Sequence, residues 1–367
     1  MKNVLETYQL ELKVCGPVFI GSGEEIQKKE YMFLGRNKIG VVDVEKLYAL
    51  AVKKRIAPDL EKYMLEDTRE DLKHWALRNR VSDKELERCM RYTVDTGDLQ
   101  LEKGKKQIMA CIKDPYGNPY VPGSSIKGML RTILLCAEIV KNPKKYAKDR
   151  EQILLDLQNS NVRRKQVLAK NIEAIETKAF HTLKRSENAR DAVNDMLSGL
   201  IIADSEPLKK EDIILCQKWE RHVDGNCKTL NLLRECLKPG TIIKSTITID
   251  TKVCKLNIED IVEGVKLFYQ MYYENFQSKF RSMNNRMSDQ TVFLGSGSGF
   301  VSKTMIYAMF GVPEGVRVTK DIFFRTNVPW QHKHQLDTRL GVSPHILKCT
   351  RYQGKEYMMG QCEISFR

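Results

Sequence analysis

From Thr7 to Ile20 the chain alternates apolar and polar positions, TYQLELKVCGPVFI, which predicts a strand buried on one side. GSGEE (21–25) then reads as a turn and EYMFLG (30–35) as a second strand. VEKLYALAVKKRI (44–56) and the charged stretch 59–91 switch to helical spacing, with Leu60, Met64, Leu72 and Trp75 as core contacts. Strand pattern returns in RYTVDTGDLQ (91–100) and KKQIMACIKDPYGNPYVPG (105–123), where Tyr116-Gly117-Asn118-Pro119 is the clearest turn. SIKGMLRTILLCAEIV (125–140) predicts a helix whose apolar face is Ile126, Leu130, Ile133, Leu134 and Ala137.

A polar, mainly helical stretch (141–200) separates this half from the next. SGLIIADSEPL (198–208), DIILCQKWE (212–220) and GTIIKSTITID (240–250) read as strands, and 257–281 as a helix. FLGSGSGFVSKTMIYAMFG (293–311) reads as a glycine-rich loop opening a helix, and KEYMMGQCEISFR as a final strand. Strands flanking helices, twice over, imply an α+β architecture in two halves, 1–197 and 198–367.

Composition narrows the function classes. A hydrophobic share of 42% supports real cores and argues against global disorder. No apolar run approaches the roughly 18–20 residues of a membrane span, and the first residues lack a signal peptide's apolar block. A cytoplasmic protein with no membrane partner is expected. The ten cysteines are irregularly spaced with no C-x-x-C pair, which points to buried free thiols rather than disulfides or zinc. The net charge of +14 changes the picture more: between Lys141 and Arg190 there are 13 Lys and Arg against 6 Asp and Glu. Clustered positive charge in a chain of pI near 9.2 favours a polyanionic partner, although a solvated helical surface would look the same.

Enzyme motifs fail on inspection. Ser124-Ser125-Ile126-Lys127 fits S-x-x-K, but the companion elements are each wrong at one position, Ser288-Asp289-Gln290 and Ser302-Lys303-Thr304-Met305. GSGFVSKT (297–304) is one residue from a Walker A loop, without the surrounding βαβ pattern. What survives is phosphate chemistry: Gly295, Gly297 and Gly299 allow close backbone approach, and Lys303 adds charge. VPGSSIKGMLRT (121–132) has the same character, with Ser124 and Ser125 at a helix N-terminus and Lys127 and Arg131 one turn apart. His332-x-His334 reads as a pair of exposed loop histidines; a metal there would need a carboxylate brought close. No catalytic constellation, metal or cofactor is expected.

Five segments together resemble one family: FIGSGEEIQKKEY (19–31), PYVPGSSIKGMLRT (119–132), ADSEPL with QKWE (203–208, 217–220), FLGSGSGFVSKT (293–304) and YMMGQCEISF (357–366). They resemble the RAMP superfamily of CRISPR RNA-binding proteins, and within it the cap-subunit (fifth Csm protein) family of the type III-A Csm effector complex. The resemblance implies two ferredoxin-like (RRM-like) domains with helical insertions. It implies binding of CRISPR guide RNA at its 3′ region, contact with the backbone subunits of the Csm complex, and support of guide maturation by admitting host nucleases. Backbone relatives cut target RNA with an Asp in a loop of the first domain; here that region reads Gly21-Ser22-Gly23-Glu24-Glu25, so this activity is not expected. The RNA-binding residues expected are Gly21, Ser22, Gly23, Ser124, Ser125, Lys127, Gly128, Arg131, Gly295, Gly297, Ser298, Gly299, Lys303 and Thr304. The alternative is a ribonuclease acting on the guide precursor, with His181 or His222 as general base.

Overall fold

The computed structural model describes residues 4–35, 37–66, 70–99, 107–159, 167–283 and 285–367. β1 (Leu5–Val14) turns Leu10, Leu12 and Val14 inward and Glu11 and Lys13 outward, as its alternation predicts. β2 (Gly21–Ile26), β3 (Tyr31–Phe33) and β4 (Lys38–Val42) follow. The GSGEE segment expected as a turn is thus a strand. Pairing with a neighbouring edge overrides its poor strand propensity, at the cost of a register shift between Gly21 and Glu25.

Four short helices come next: α1 (Val44–Lys53), α2 (Ala57–Leu65), α3 (Leu72–Arg78) and α4 (Asp83–Arg88). Three of their starts are set by caps, where Asp43, Asp71 and Ser82 accept the backbone N–H of Lys46, His74 and Glu85. Leu47, Leu60, Tyr63, Leu72, Trp75 and Leu86 form a separate core beneath them, so this insertion packs largely on itself.

The chain then runs through β5 (Met90–Thr96), β6 (Ile108–Cys111), α5 (Gly123–Lys141), α6 (Ala147–Gln158) and α7 (Ala169–Phe180). Parts of the expected 91–100 and 105–123 strands and of the 141–200 stretch (100–106 and 160–166) lie outside the described residues. β7 (Leu200–Ile202), β8 (Ile213–His222), β9 (Cys227–Leu237), β10 (Ile242–Asp250) and α8 (Ile258–Asn275) follow. The last elements are β11 (Thr291–Phe293), α9 (Ile306–Phe310), α10 (Glu314–Arg325), α11 (Asp337–Leu340), β12 (Ile346–Tyr352), β13 (Lys355–Met358) and β14 (Gln361–Phe366).

Two sheets organise these elements into an α+β fold of ferredoxin-like type with helical insertions. The five-stranded sheet has the order β11-β14-β1-β10-β7 and is antiparallel throughout. Leu10 and Leu12 of β1 and Ile243, Ile247 and Ile249 of β10 share one face, covered by Ile126, Leu130 and Ile133 of α5 and by Ile261, Val265 and Phe268 of α8. The second sheet runs β2-β6-β9-β8-β5-β4-β3, with the β12–β13 hairpin added on β8. Its β5–β8 and β6–β9 pairs are parallel, so each joins segments distant in sequence. Both sheets take strands from each side of residue 197.

At the centre of the second sheet Glu235 is fully buried and accepts from Tyr92 Oη (2.7 Å), Cys111 N (3.0 Å) and Lys113 Nζ (2.5 Å). This pins β5, β6 and β9 together. The ten cysteines are free thiols, eight of them buried. Among the described residues no helix is long and apolar enough to cross a membrane.

Candidate nucleic-acid interface

Three of the sequence segments singled out above meet at one groove of about 370 Å³. Gly21 at the start of β2 forms one wall, Ser125, Gly128 and Thr132 of α5 a second, and Gly295, Ser296 and Lys303 of the glycine-rich loop the third. Phe19 and Phe293 lie at its base.

The glycine-rich loop is held, not slack. Ser296 N donates to Phe19 O (2.8 Å), Leu294 N to Gly360 O (2.7 Å), and Ser302 Oγ to Ser298 O (3.1 Å). Two positions demand glycine. At Gly295 (φ +78) a Cβ would stand 2.4 Å from Phe19 O, and at Gly297 (φ +90) one would stand 2.5 Å from Arg234 Nη1. Beyond the loop the expected helix shrinks to a 3-10 turn (Val301–Lys303) and the short α9. Ser298 is buried with its hydroxyl turned to Gly295 O, and Thr304 is half-buried, so neither hydroxyl lines the groove.

The cations around this loop were not visible in the sequence as a group. Arg234 of β9 lies over the Phe19 ring (5.2 Å), with its Nε buried and without a hydrogen-bond partner. Burial pulls its pKa below the ordinary arginine value. Lys303 reaches the surface, yet the protein around it, and then the Arg234 charge, holds its pKa below the ordinary lysine value. Among the described residues neither Arg234 nor Lys303 is paired with a carboxylate. Nearby, Lys348 of β12 (2.5 Å) and Lys218 of β8 (3.3 Å) share the single carboxylate of Glu220. Burial lowers the Lys218 pKa, and Lys348 and Arg234 add to the effect. The Arg234 charge thus acts on both Lys303 and Lys218, and of the four cations only Lys218 and Lys348 hold a carboxylate, an arrangement that a phosphate would relieve.

The α5 N-terminus is used differently from what its sequence predicts. Gly123 N donates to Asp204 Oδ1 (2.7 Å), and Val121 N to Ser205 Oγ (2.9 Å), so the ADSEPL segment already places a carboxylate there. A Cβ at Gly123 would stand 2.1 Å from Ile202 O, which explains the glycine in PGSS. Ser124 is exposed and Ser125 half-buried. Lys127 and Arg131 are on one face, as their spacing predicts, but it is not the face of Ser125, Gly128 and Thr132 that lines the groove.

Arg131 is no free cation. It pairs with Glu176 of α7 (3.0 Å) and Asp195 (2.7 Å) and lies over the Phe180 ring (5.0 Å), clamping α5 to α7. Burial acts against its charge, but Asp195 and Glu176 outweigh that and raise its pKa. The Lys127 pKa is lowered by burial, with Asp195 opposing.

Ser22 and Gly23 also fall outside the groove. Ser22 Oγ donates to Ala110 O (3.3 Å), and the strand leads Glu24 and Glu25 into a separate cleft with Glu30, Asp43 and Asp114. His181 hydrogen-bonds to Ala189 O (2.9 Å), and His222 lies at a third cleft, beside His345.

A family model of the RAMP superfamily matches residues 11–302. The chain belongs to the RAMP superfamily. Within it the chain falls in the Csm5 family: it is 30% identical to the CRISPR system protein Csm5 of Mycobacterium tuberculosis, covering 100% of this chain and 99% of that one. It is 27% identical to Csm5 of Streptococcus thermophilus over 85% and 84% of the two chains. In fold it matches the crystal structure of T. onnurineus Csm5, with TM-score 0.59 and 18% identity over 96% of this chain and 99% of the other. It also matches a chain of a type III-A Csm–crRNA–target RNA complex solved by cryo-EM, with TM-score 0.58 and 19% identity over 98% and 100%.

Phe19 in the groove, and the cations Arg234, Lys218 and Lys348 around the glycine-rich loop, are the residues that sequence reasoning missed. Strand parity identifies Arg234 only once 227–237 is known to be a strand, which sequence reasoning did not read. In CKTLNLLRECL, Arg234 and Glu235 point to opposite faces, and only one of them meets Lys113.

Proposed function

We propose that this chain is an RNA-binding structural subunit, without catalytic turnover, of a cytoplasmic type III-A Csm complex. It holds the 3′ region of a CRISPR guide RNA by its phosphates and closes the end of the row of backbone subunits. The observation that carries this reading is the pair Arg234 and Lys303, unpartnered by carboxylates and flanking a glycine-lined groove. Gly21, Ser125, Gly128, Gly295, Gly297, Gly299 and Lys303 are the expected residues that the reading keeps at the RNA. Glycine and serine backbone with cations grips phosphate without reading bases, which suits a subunit that accepts guides of any sequence. The family membership and the fold match to a chain of a complex with crRNA support the reading.

Its test is twofold. Purified chain should bind single-stranded RNAs of unrelated sequence with similar affinity and a strong salt dependence. Complexes reconstituted without it should carry guides with heterogeneous or untrimmed 3′ ends. Glu24→Ala and Glu25→Ala, in the separate acidic cleft, should leave target cleavage by the complete complex intact. If either glutamate is needed for cutting, the chain is a nuclease and the structural reading is wrong.

A further inference from the structure

Buried carboxylates in this chain have lysine partners. Glu235 has Lys113 (2.5 Å), and Glu220 has Lys348 (2.5 Å) and Lys218 (3.3 Å). Asp337, at the start of α11, breaks the pattern. Its side chain is fully buried, yet its contacts are His345 Nδ1 to Oδ1 (2.5 Å), His334 Nδ1 to Oδ2 (3.0 Å) and Ser343 Oγ to Oδ2 (2.5 Å). Among the described residues no Lys or Arg pairs with it. A buried charge is stable when paired or when it ligates a metal.

Protonated histidines would be poor substitutes for a fixed cation here. His334 and His345 have ring centroids 5.2 Å apart, His222 lies 5.5 Å from His345, and His332 lies 6.0 Å from His334. Each imidazolium would repel the next. Four of the chain's six histidines thus crowd one corner, and the imidazole ring is the commonest metal ligand among side chains.

We propose that His334, His345 and Asp337 form a binding site for a divalent transition-metal ion, Zn²⁺ by its donor set. Two imidazole nitrogens and a carboxylate with one open position are a standard zinc combination. The three ligand atoms lie within 4.8 Å of one another. To reach the ~3.3 Å separation of ligands in a tetrahedral zinc site, the His334–Asp337 contact (3.0 Å) opens by about 0.3 Å and the His345–Asp337 contact (2.5 Å) by about 0.8 Å. Each imidazole then carries its proton on Nε2 and offers Nδ1 to the ion. Solvent reaches the corner through a cleft of about 600 Å³ lined by His222, His332, His345 and Glu220. Of the pair His332-x-His334, exposed loop histidines on the sequence reading, His334 is instead half-buried against the carboxylate that a metal site requires.

The test uses the full chain, stripped with a chelator and titrated with ZnCl₂ by calorimetry, with bound metal counted by mass spectrometry. One zinc per chain is expected, with an affinity that falls at least about 100-fold in His334→Gln/His345→Gln, since even outer-sphere changes cost about 10–100-fold. The Co²⁺-loaded chain should show the visible d–d bands of a tetrahedral site, lost in the same variant. His74→Ala, an exposed histidine elsewhere, should bind as the parent does. If the glutamine variant does not fold, the cobalt spectrum of the parent chain decides. No stoichiometric zinc, zinc uptake indifferent to the double substitution, or an octahedral aquo-type cobalt spectrum each overturns the proposal.

Discussion

The segment 141–190 and the groove around the glycine-rich loop are both rich in positive charge, but they manage it in opposite ways. In the first, Lys141, Lys145, Arg150, Lys178 and Arg190 each hold a carboxylate: Glu263, Glu138, Glu314, Asp149 and Glu173. In the second, Arg234 and Lys303 have none, and Lys218 and Lys348 share one. Half of the described cations in the segment with the most positive charge are therefore already held by carboxylates of the fold. A cation is available to a phosphate when the fold leaves it unpaired, and net charge along the chain does not report that.

The sharpest way to break this comparison is Arg234→Ala with Lys303→Ala. Charge-assisted hydrogen bonds contribute about 1.5–3 kcal/mol each, so RNA affinity should fall by about 100-fold or more at moderate salt. The slope of log K against log salt should flatten by roughly one to two units. Fluorescence anisotropy across a salt series measures both; a full slope in the double variant would put the RNA elsewhere.

Arg131 separates the two uses of charge within one residue type. Removing this half-buried clamp leaves Glu176 and Asp195 without their partner, so Arg131→Ala should cost about 1–3 kcal/mol of stability. Urea unfolding should show the loss, while RNA affinity of the folded variant stays near that of the parent. A large loss of affinity without loss of stability would return Arg131 to the phosphate-binding role that its spacing suggests.

That contrast shows what was legible in the sequence. The alternation of β1 and the apolar stripe of α5 report local geometry and a buried face, and both hold in the fold. Lys127 and Arg131 do share a face, but helical spacing cannot say that α7 and the Asp195 turn cover it. β2 was hidden because Gly21-Ser22-Gly23 has turn chemistry, and long-range pairing with β6 decided otherwise. β9 was hidden because buried Glu235 interrupts its apolar pattern; with the strand unread, the direction of Arg234 could not be read either. The groove itself joins residues 21, 125 and 303, with Arg234 over the Phe19 ring beside it, brought together by the β6–β9 pairing and the docking of the glycine-rich loop on Phe19 O.

A smaller effect is expected at Gly297. Alanine there meets both a φ of +90 and the Arg234 guanidinium, which must move. Backbone strain of this kind costs about 1–3 kcal/mol, so Gly297→Ala should lower the melting temperature by a few degrees and RNA affinity about tenfold. Parent-like melting and parent-like affinity together would make the loop a mere connector.

Proton linkage gives a finer measure. Lys303 and Lys218 have depressed pKa values, and a bound phosphate would raise them again, so RNA binding should take up protons. Affinity should fall as pH rises from 8 toward the ordinary lysine pKa of about 10.4, beginning below that value. Lys303→Arg, which keeps its charge, should reduce this dependence; an unaltered pH profile would exclude Lys303 from the contact.

The smallest effect expected is in the charged segment that dominates the sequence. Arg150 and Lys178 are engaged with Glu314 and Asp149, and to hold a phosphate either cation would have to leave its carboxylate unpaired. That exchange swaps one charge-assisted contact for another and gains little. Arg150→Ala and Lys178→Ala should therefore change RNA affinity by no more than about twofold and leave the salt slope unaltered, since no counterion release is lost with them. The measurement is the same anisotropy series used for Arg234 and Lys303, run side by side. If these variants flatten the slope by about one unit each, the helical surface does trade carboxylates for RNA phosphates, and pairing in the isolated chain is no guide to where the RNA lies.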